Sequence, residues 1–157
     1  MRRIIGVAVM ALLLVAGLSI FSTANAGSSN GETIQLESKL VDSAELDLGD
    51  KGFGLGDQFV FTDDIYEDDE LVGTDHGVCT VTRIDDPEVT FQCVATLVLD
   101  DRGQITLQGA VTFEESDETP TFTVAITGGT DEFSDADGEV EIHETSAEKS
   151  ELEVRLD

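Results

Sequence analysis

Ala125-Ile126-Thr127-Gly128-Gly129-Thr130-Asp131-Glu132-Phe133-Ser134-Asp135-Ala136-Asp137-Gly138-Glu139-Val140 is the stretch on which the fold turns. An alternating strand pattern stops on a glycine pair, passes through a polar segment and resumes alternation after Gly138. Glycine adopts the backbone conformations that tight turns need. No lysine and no helical period follows Gly128-Gly129-Thr130, so a phosphate loop is excluded and an inter-strand turn is expected. Asp135-Ala136-Asp137-Gly138 is similar to the end of a calcium-binding EF-hand loop. However, Phe133 stands at the first ligand position and no helix pair flanks it.

On both sides the chain reads as short apolar alternations separated by Gly, Asp, Pro and Ser clusters. Strands are expected over 33–41, 57–66, 71–84, 89–99, 104–114, 120–127, 138–146 and 150–156. In the central hairpin Phe91, Cys93, Ala95, Leu97 and Leu99 share one face, and Cys79 and Val81 share a face of the preceding strand. A turn at Asp85-Asp86-Pro87-Glu88 that pairs 79 with 93 also pairs 81 with 91, which puts all of them on the same side. The two sulfurs then meet as a cross-strand disulfide worth about 3 kcal/mol in the chain-entropy model. The competing reading is two free thiols, with Cys79 lining a cavity. Ile105, Leu107, Val111 and Phe113 continue the inward face, followed by Phe122, Val124, Ile126, Val140, Ile142, Leu152, Val154 and Leu156. A sheet of this many apolar-in, polar-out strands must close or pair its edges, and closure removes them.

Arg2-Arg3, the apolar run from Ile4 to Phe21 and the small-residue site Ala24-Asn25-Ala26 read as a Sec-type signal peptide over residues 1–26, so the protein is expected to be secreted. The run is too short, and too clearly ended by a cleavage site, to favour a stable membrane anchor. Residues 27–32 form a polar leader, and 33–157 make one domain. The full chain of 157 residues carries a formal charge of −26; cleavage removes two arginines and no acid, leaving −28. Such a surface repels nucleic acid and anionic lipid headgroups. The three lysines, Lys39, Lys51 and Lys149, suggest adaptation to a saline setting, against the plainer reading of an acidic secreted protein.

Gly54-Leu55-Gly56-Asp57 leading to Phe61-Thr62-Asp63 and Tyr66, Val72-Gly73 leading to Gly77-Val78-Cys79, and Gly103 through Gln108-Gly109 precede the opening stretch in order. Together they resemble the allene oxide cyclase and dirigent family, over about residues 33 to 145. The resemblance implies an all-β, eight-stranded antiparallel barrel around an apolar cavity, often packed as a homotrimer. In the plant cyclases it also implies a cavity glutamate and asparagine on the first strand; the matching positions here are Gln35 and Glu37. The asparagine after Phe-Thr is matched by Asp63, a tyrosine by Val111, and a cysteine by Cys79. Most of the chemistry-bearing positions therefore hold other residues, which argues against cyclisation by the plant residues. The apolar pattern Ile34, Leu36 and Leu40 places Gln35 and Glu37 outside, whereas the resemblance places them in the cavity; the two readings stand side by side.

Asp63 shares a face with Phe59, Phe61 and Ile65, an apolar setting that raises a carboxyl pKa and suits general acid or base work. The alternative is that it reaches water near the strand end. His76 and His143 fit no metal-ligand spacing and are expected at the surface, His143 on a polar face with Glu141 and Glu144. No motif for a cofactor and no nucleophile paired with a histidine is seen. The cavity wall is expected to comprise Phe59, Phe61, Val81, Leu97, Leu107 and Val111, and the partner to be a small hydrophobic molecule. A second reading is an isomerase, cyclase or dirigent-type protein with Asp63 as acid or base. A third is a structural trimer, which requires a filled barrel.

Overall fold

In the computed structural model, residues 31–49, 51–114 and 119–157 are described. Eight strands close into one antiparallel up-and-down barrel: β1 (Glu32–Leu46), β2 (Gln58–Glu67), β3 (Glu70–Asp85), β4 (Glu88–Leu99), β5 (Gly103–Glu114), β6 (Thr121–Gly129), β7 (Gly138–Ser146) and β8 (Lys149–Leu156). The leader expected over 1–26 and most of the following polar segment lie outside the described residues.

Register follows the alternation. Cys79 lies opposite Cys93 and Val81 opposite Phe91, and the two cysteines form a disulfide. β1 is longer than the pattern indicated because a bulge at Leu40/Asp42 sets Val41 aside. Before the bulge Ile34, Leu36 and Ser38 are buried. Beyond it the inward face passes to Ser43 and Glu45, opposite Phe61 and Phe59. One extra residue reverses the parity of a strand, which is how the apolar pattern ends at Leu40 while pairing continues.

One end of the barrel is sealed. Ile65, Leu97, Leu99, Ile105, Val140 and Val154 are nearly or wholly inaccessible there. The stretch 125–140 supplies the plug: β6 ends at Gly129, a single 3-10 turn spans Asp131–Phe133, and Phe133 is buried against the core. Thr130 exchanges bonds with Gln104 through both backbone and side chain. Gly138 has φ +126°, and a Cβ there would lie 2.1 Å from the Arg155 carbonyl oxygen, so only glycine fits. Arg102 covers the plug, 5.2 Å above the Phe133 ring and hydrogen-bonded twice to Glu132.

The opposite end is open. The β5–β6 ladder, from Ile105↔Gly129 to Gln108↔Ala125, stops short of it. Beyond it the contact is between side chains, with Phe113 and Phe122 edge to face at 5.4 Å. The Gly109 carbonyl accepts a bond from Gln92 Nε2.

Candidate functional site

From the open end a cavity of about 650 Å³ descends between the strands. Phe59, Phe61, Val81 and Leu107 line it, together with the disulfide, Phe91, Phe113 and Phe122. The rings form a chain: Phe53 to Phe91 at 6.5 Å, Phe91 to Phe113 at 5.9 Å, then Phe122. Phe59 and Phe61 stack at 5.9 Å. Phe61 can lie flat against the wall because its cross-strand neighbour is Gly77, where a Cβ would come within 2.2 Å of the ring.

Four expected cavity residues sit elsewhere. Gln35 is exposed and Glu37 lies on the outer surface, ion-paired with Lys39 at 2.8 Å, beside Tyr66, whose ring carries the Lys39 ammonium at 3.7 Å. The even positions of β1 face the apolar side chains of β8, so the hydrophobic pattern, and not the family correspondence, decides that strand. Leu97 is fully buried but one layer deeper, opposite Asp75 in the sealed core. Val111 is also buried in the core cluster; its cross-strand partner Phe91 and its inward neighbour Phe113 take the wall with their larger rings.

Asp63 lies on the cavity wall. Burial raises its pKa, outweighing the opposing effect of the neighbouring, buried Ser38 hydroxyl. Directly across the β2–β3 ladder stands Asp75, only 6% exposed. Burial first and the Asp63 carboxylate second push its pKa up to about 7, against the smaller opposing effect of the nearby His76 and Thr96 backbone amides. Oδ1 of each aspartate is buried without a hydrogen-bond partner. Glu144 faces the same cavity, its pKa raised by burial and then by Asp63. Two like charges side by side in a poorly solvated space disfavour double ionisation, so the aspartate pair tends to retain a proton.

Sequence reading missed two of these three acids. Asp75 occupies an inward position with Cys79 and Val81, but the inward positions around it, Gly73 and Gly77, show no side chain and conceal the alternation. Glu144 shares the inward face of Val140 and Ile142 rather than the polar face of His143, and parity alone could have placed it. His76 and His143 are exposed and bonded to threonines, Thr62 and Thr74 for the first and Thr121 for the second. Asp57 at the mouth is buried but satisfied, accepting from Leu48 N at 2.8 Å and Gly54 N at 2.7 Å. It therefore holds the β1–β2 connection that carries Phe53 over the opening.

Residues 26–156 match the family described as allene oxide cyclase barrel like domain, and the chain belongs to that family. Among solved structures, a pyocyanin demethylase is 29% identical, with a TM-score of 0.72 over 80% of this chain and 100% of that one. A pterocarpan synthase dirigent protein is 16% identical, with a TM-score of 0.62 over 82% and 95% of the two chains. An exo-specific intermolecular Diels-Alderase is 16% identical, with a TM-score of 0.60 over 80% and 97%. No curated protein matches the chain.

Proposed function

We propose that the protein is exported and binds a small hydrophobic molecule in the barrel cavity. The observation that carries this reading is the open, phenylalanine-walled space of about 650 Å³, a size suited to one small organic ligand. A structural barrel called for a filled interior, and the cavity speaks against it. Neighbours of this fold named for demethylation and cycloaddition of small molecules are in keeping with the reading. The disulfide supports an oxidising compartment.

The test is titration of the folded protein with an environment-sensitive, uncharged apolar probe at low and high salt. Saturable one-site binding displaced by competing apolar molecules supports the proposal; a folded protein that binds none of the probe in either salt overturns it.

A second reading, an isomerase or cyclase, is favoured by Asp63, a half-buried carboxyl with a buried Oδ1, set in an apolar wall with a raised pKa. A cavity that controls substrate shape needs few chemical groups, and one acid or base suffices. Turnover of a cyclisable substrate that is lost in Asp63→Asn, while binding survives, distinguishes catalysis from carriage. For the homotrimer implied by the resemblance, the outer face of β4 and β5 is the suited seat. Residues 89–99 and 103–113 contain no charge in a chain of −26, and Val94 is exposed there. Sedimentation velocity reads the assembly directly.

A further inference from the structure

We propose that the cavity selects an organic cation: an apolar or aromatic body that packs among the phenylalanines and carries a protonated or quaternary nitrogen against Asp63 and Asp75. This inference rests on the reading that the cavity takes a small hydrophobic molecule, and it specifies the ligand's charge.

The fold leaves acids of the cavity wall incompletely paired. Asp75 is more than nine-tenths buried, lines the cavity and has an Oδ1 without a partner. Its cross-strand neighbour Asp63 presents a second such oxygen. Glu144 faces them across the same space. Among the described residues the one basic side chain on the cavity wall is Lys149, exposed at the start of β8. Asp57 offers the contrast, since both its oxygens accept backbone N–H groups and leave nothing for a ligand.

A neutral hydrocarbon entering this space would strip water from the acids and leave their oxygens unpartnered, which is unfavourable. A cation with an apolar body meets both demands. Its charge takes the place of the proton that the aspartate pair retains, offsetting one of the two carboxylates in a setting of low dielectric, and its body buries surface against Phe59, Phe61 and Phe91, whose ring faces also attract cations.

Proton linkage supplies an independent signature. In the free protein the pair retains a proton near neutral pH, because Asp75 titrates at about 7. A cation favours the ionised carboxylate, so binding expels that proton, and affinity rises as pH passes upward through about 7. Asp63 from β2 acts on Asp75 directly, and Glu144 from β7 shares the cavity and acts on Asp63. Glu45 from β1, Asp47 and Asp57 from the β1–β2 connection, Glu148 before β8 and Lys149 from β8 also line the cavity, while Ser38 from β1 and Leu97 from β4 do not titrate.

The experiment compares 1-methylquinolinium with its neutral isostere 1-methylnaphthalene by calorimetry in 0.5 M NaCl, conditions that suppress general attraction to an acidic surface. We expect the cation to bind one site at least about tenfold more tightly. Its heat should vary with the ionisation enthalpy of the buffer, reporting a released proton. Asp75→Asn and Asp63→Asn, each shown to be folded by circular dichroism, should reduce the ratio of cation to naphthalene affinity severalfold, whereas the surface control Glu70→Gln should leave that ratio unchanged. Naphthalene binding with no cation preference, or a preference that survives in both aspartate variants, overturns the inference and leaves the hydrophobic-ligand reading standing. Binding of neither probe by a folded protein overturns both.

Discussion

Asp75 is the residue at which folding and function pull against each other. Its carboxyl titrates at about 7 in the folded barrel and near 3.8 when exposed. Between those values the folded state holds a proton that the unfolded chain has released, so stability is full below the lower value and falls as pH rises toward 7. The slope is about 1.4 kcal/mol per pH unit while the difference lasts. Asp75→Asn keeps the shape and removes the titration. The variant should therefore lose most of this pH dependence and unfold at a higher denaturant concentration than wild type at pH 8, by a margin of a few kcal/mol. Equilibrium denaturation at pH 4, 6 and 8 measures it. Equal pH profiles for the two proteins would show that Asp75 is solvated in the folded state. Asp63 was legible in the sequence because Phe61 and Ile65 flank it at the inward positions of β2; Asp75 was not, because Gly73 and Gly77 flank it on β3.

At the scale of the element, the β2–β3 ladder sets the width of the cavity. Gly77 lets the Phe61 ring rest on the backbone of β3. Gly77→Val would push the ring into the ligand space, at an overpacking cost of about 1–3 kcal/mol. The variant should fold and bind a hydrophobic probe several times more weakly, and adding Phe61→Ala should restore binding by vacating the space. Circular dichroism and probe titration on the single and double variants test both points. The β3–β4 register was readable because two cysteines and two runs of alternation agree on a single offset. The bulge in β1 was not, since nothing in Leu40-Val41-Asp42 announces which residue will leave the ladder.

For the whole molecule, charge is the dominant fact. The chain has 34 acidic and 8 basic residues. The arginine clusters relieve a few acids locally: Arg155 holds Glu139, Glu141 and Glu153, and Arg102 holds Glu132. The remaining repulsion is screened by salt over about 10 Å at 0.1 M and about 3 Å at 1 M. The thermal midpoint should therefore climb by several degrees between these concentrations, and Lys149→Glu should steepen the climb. A midpoint indifferent to salt in differential scanning calorimetry would mean that the acids lie too far apart to matter.

The strands, their alternation, the Cys79–Cys93 pairing and the turn after Gly128-Gly129 were all legible in the residue order, because these depend on neighbours along the chain and on a period of two. Which inward residues pack solid, Phe133 of the plug among them, and which line a space emerges only when the barrel closes. Leu97 and Leu107 share an inward pattern, yet one lies in the sealed core and the other on the cavity wall. That difference is set by depth along the barrel and by side chains from strands far apart in sequence. The same closure brings Glu144 of β7 to the aspartates of β2 and β3, a meeting that no local pattern encodes.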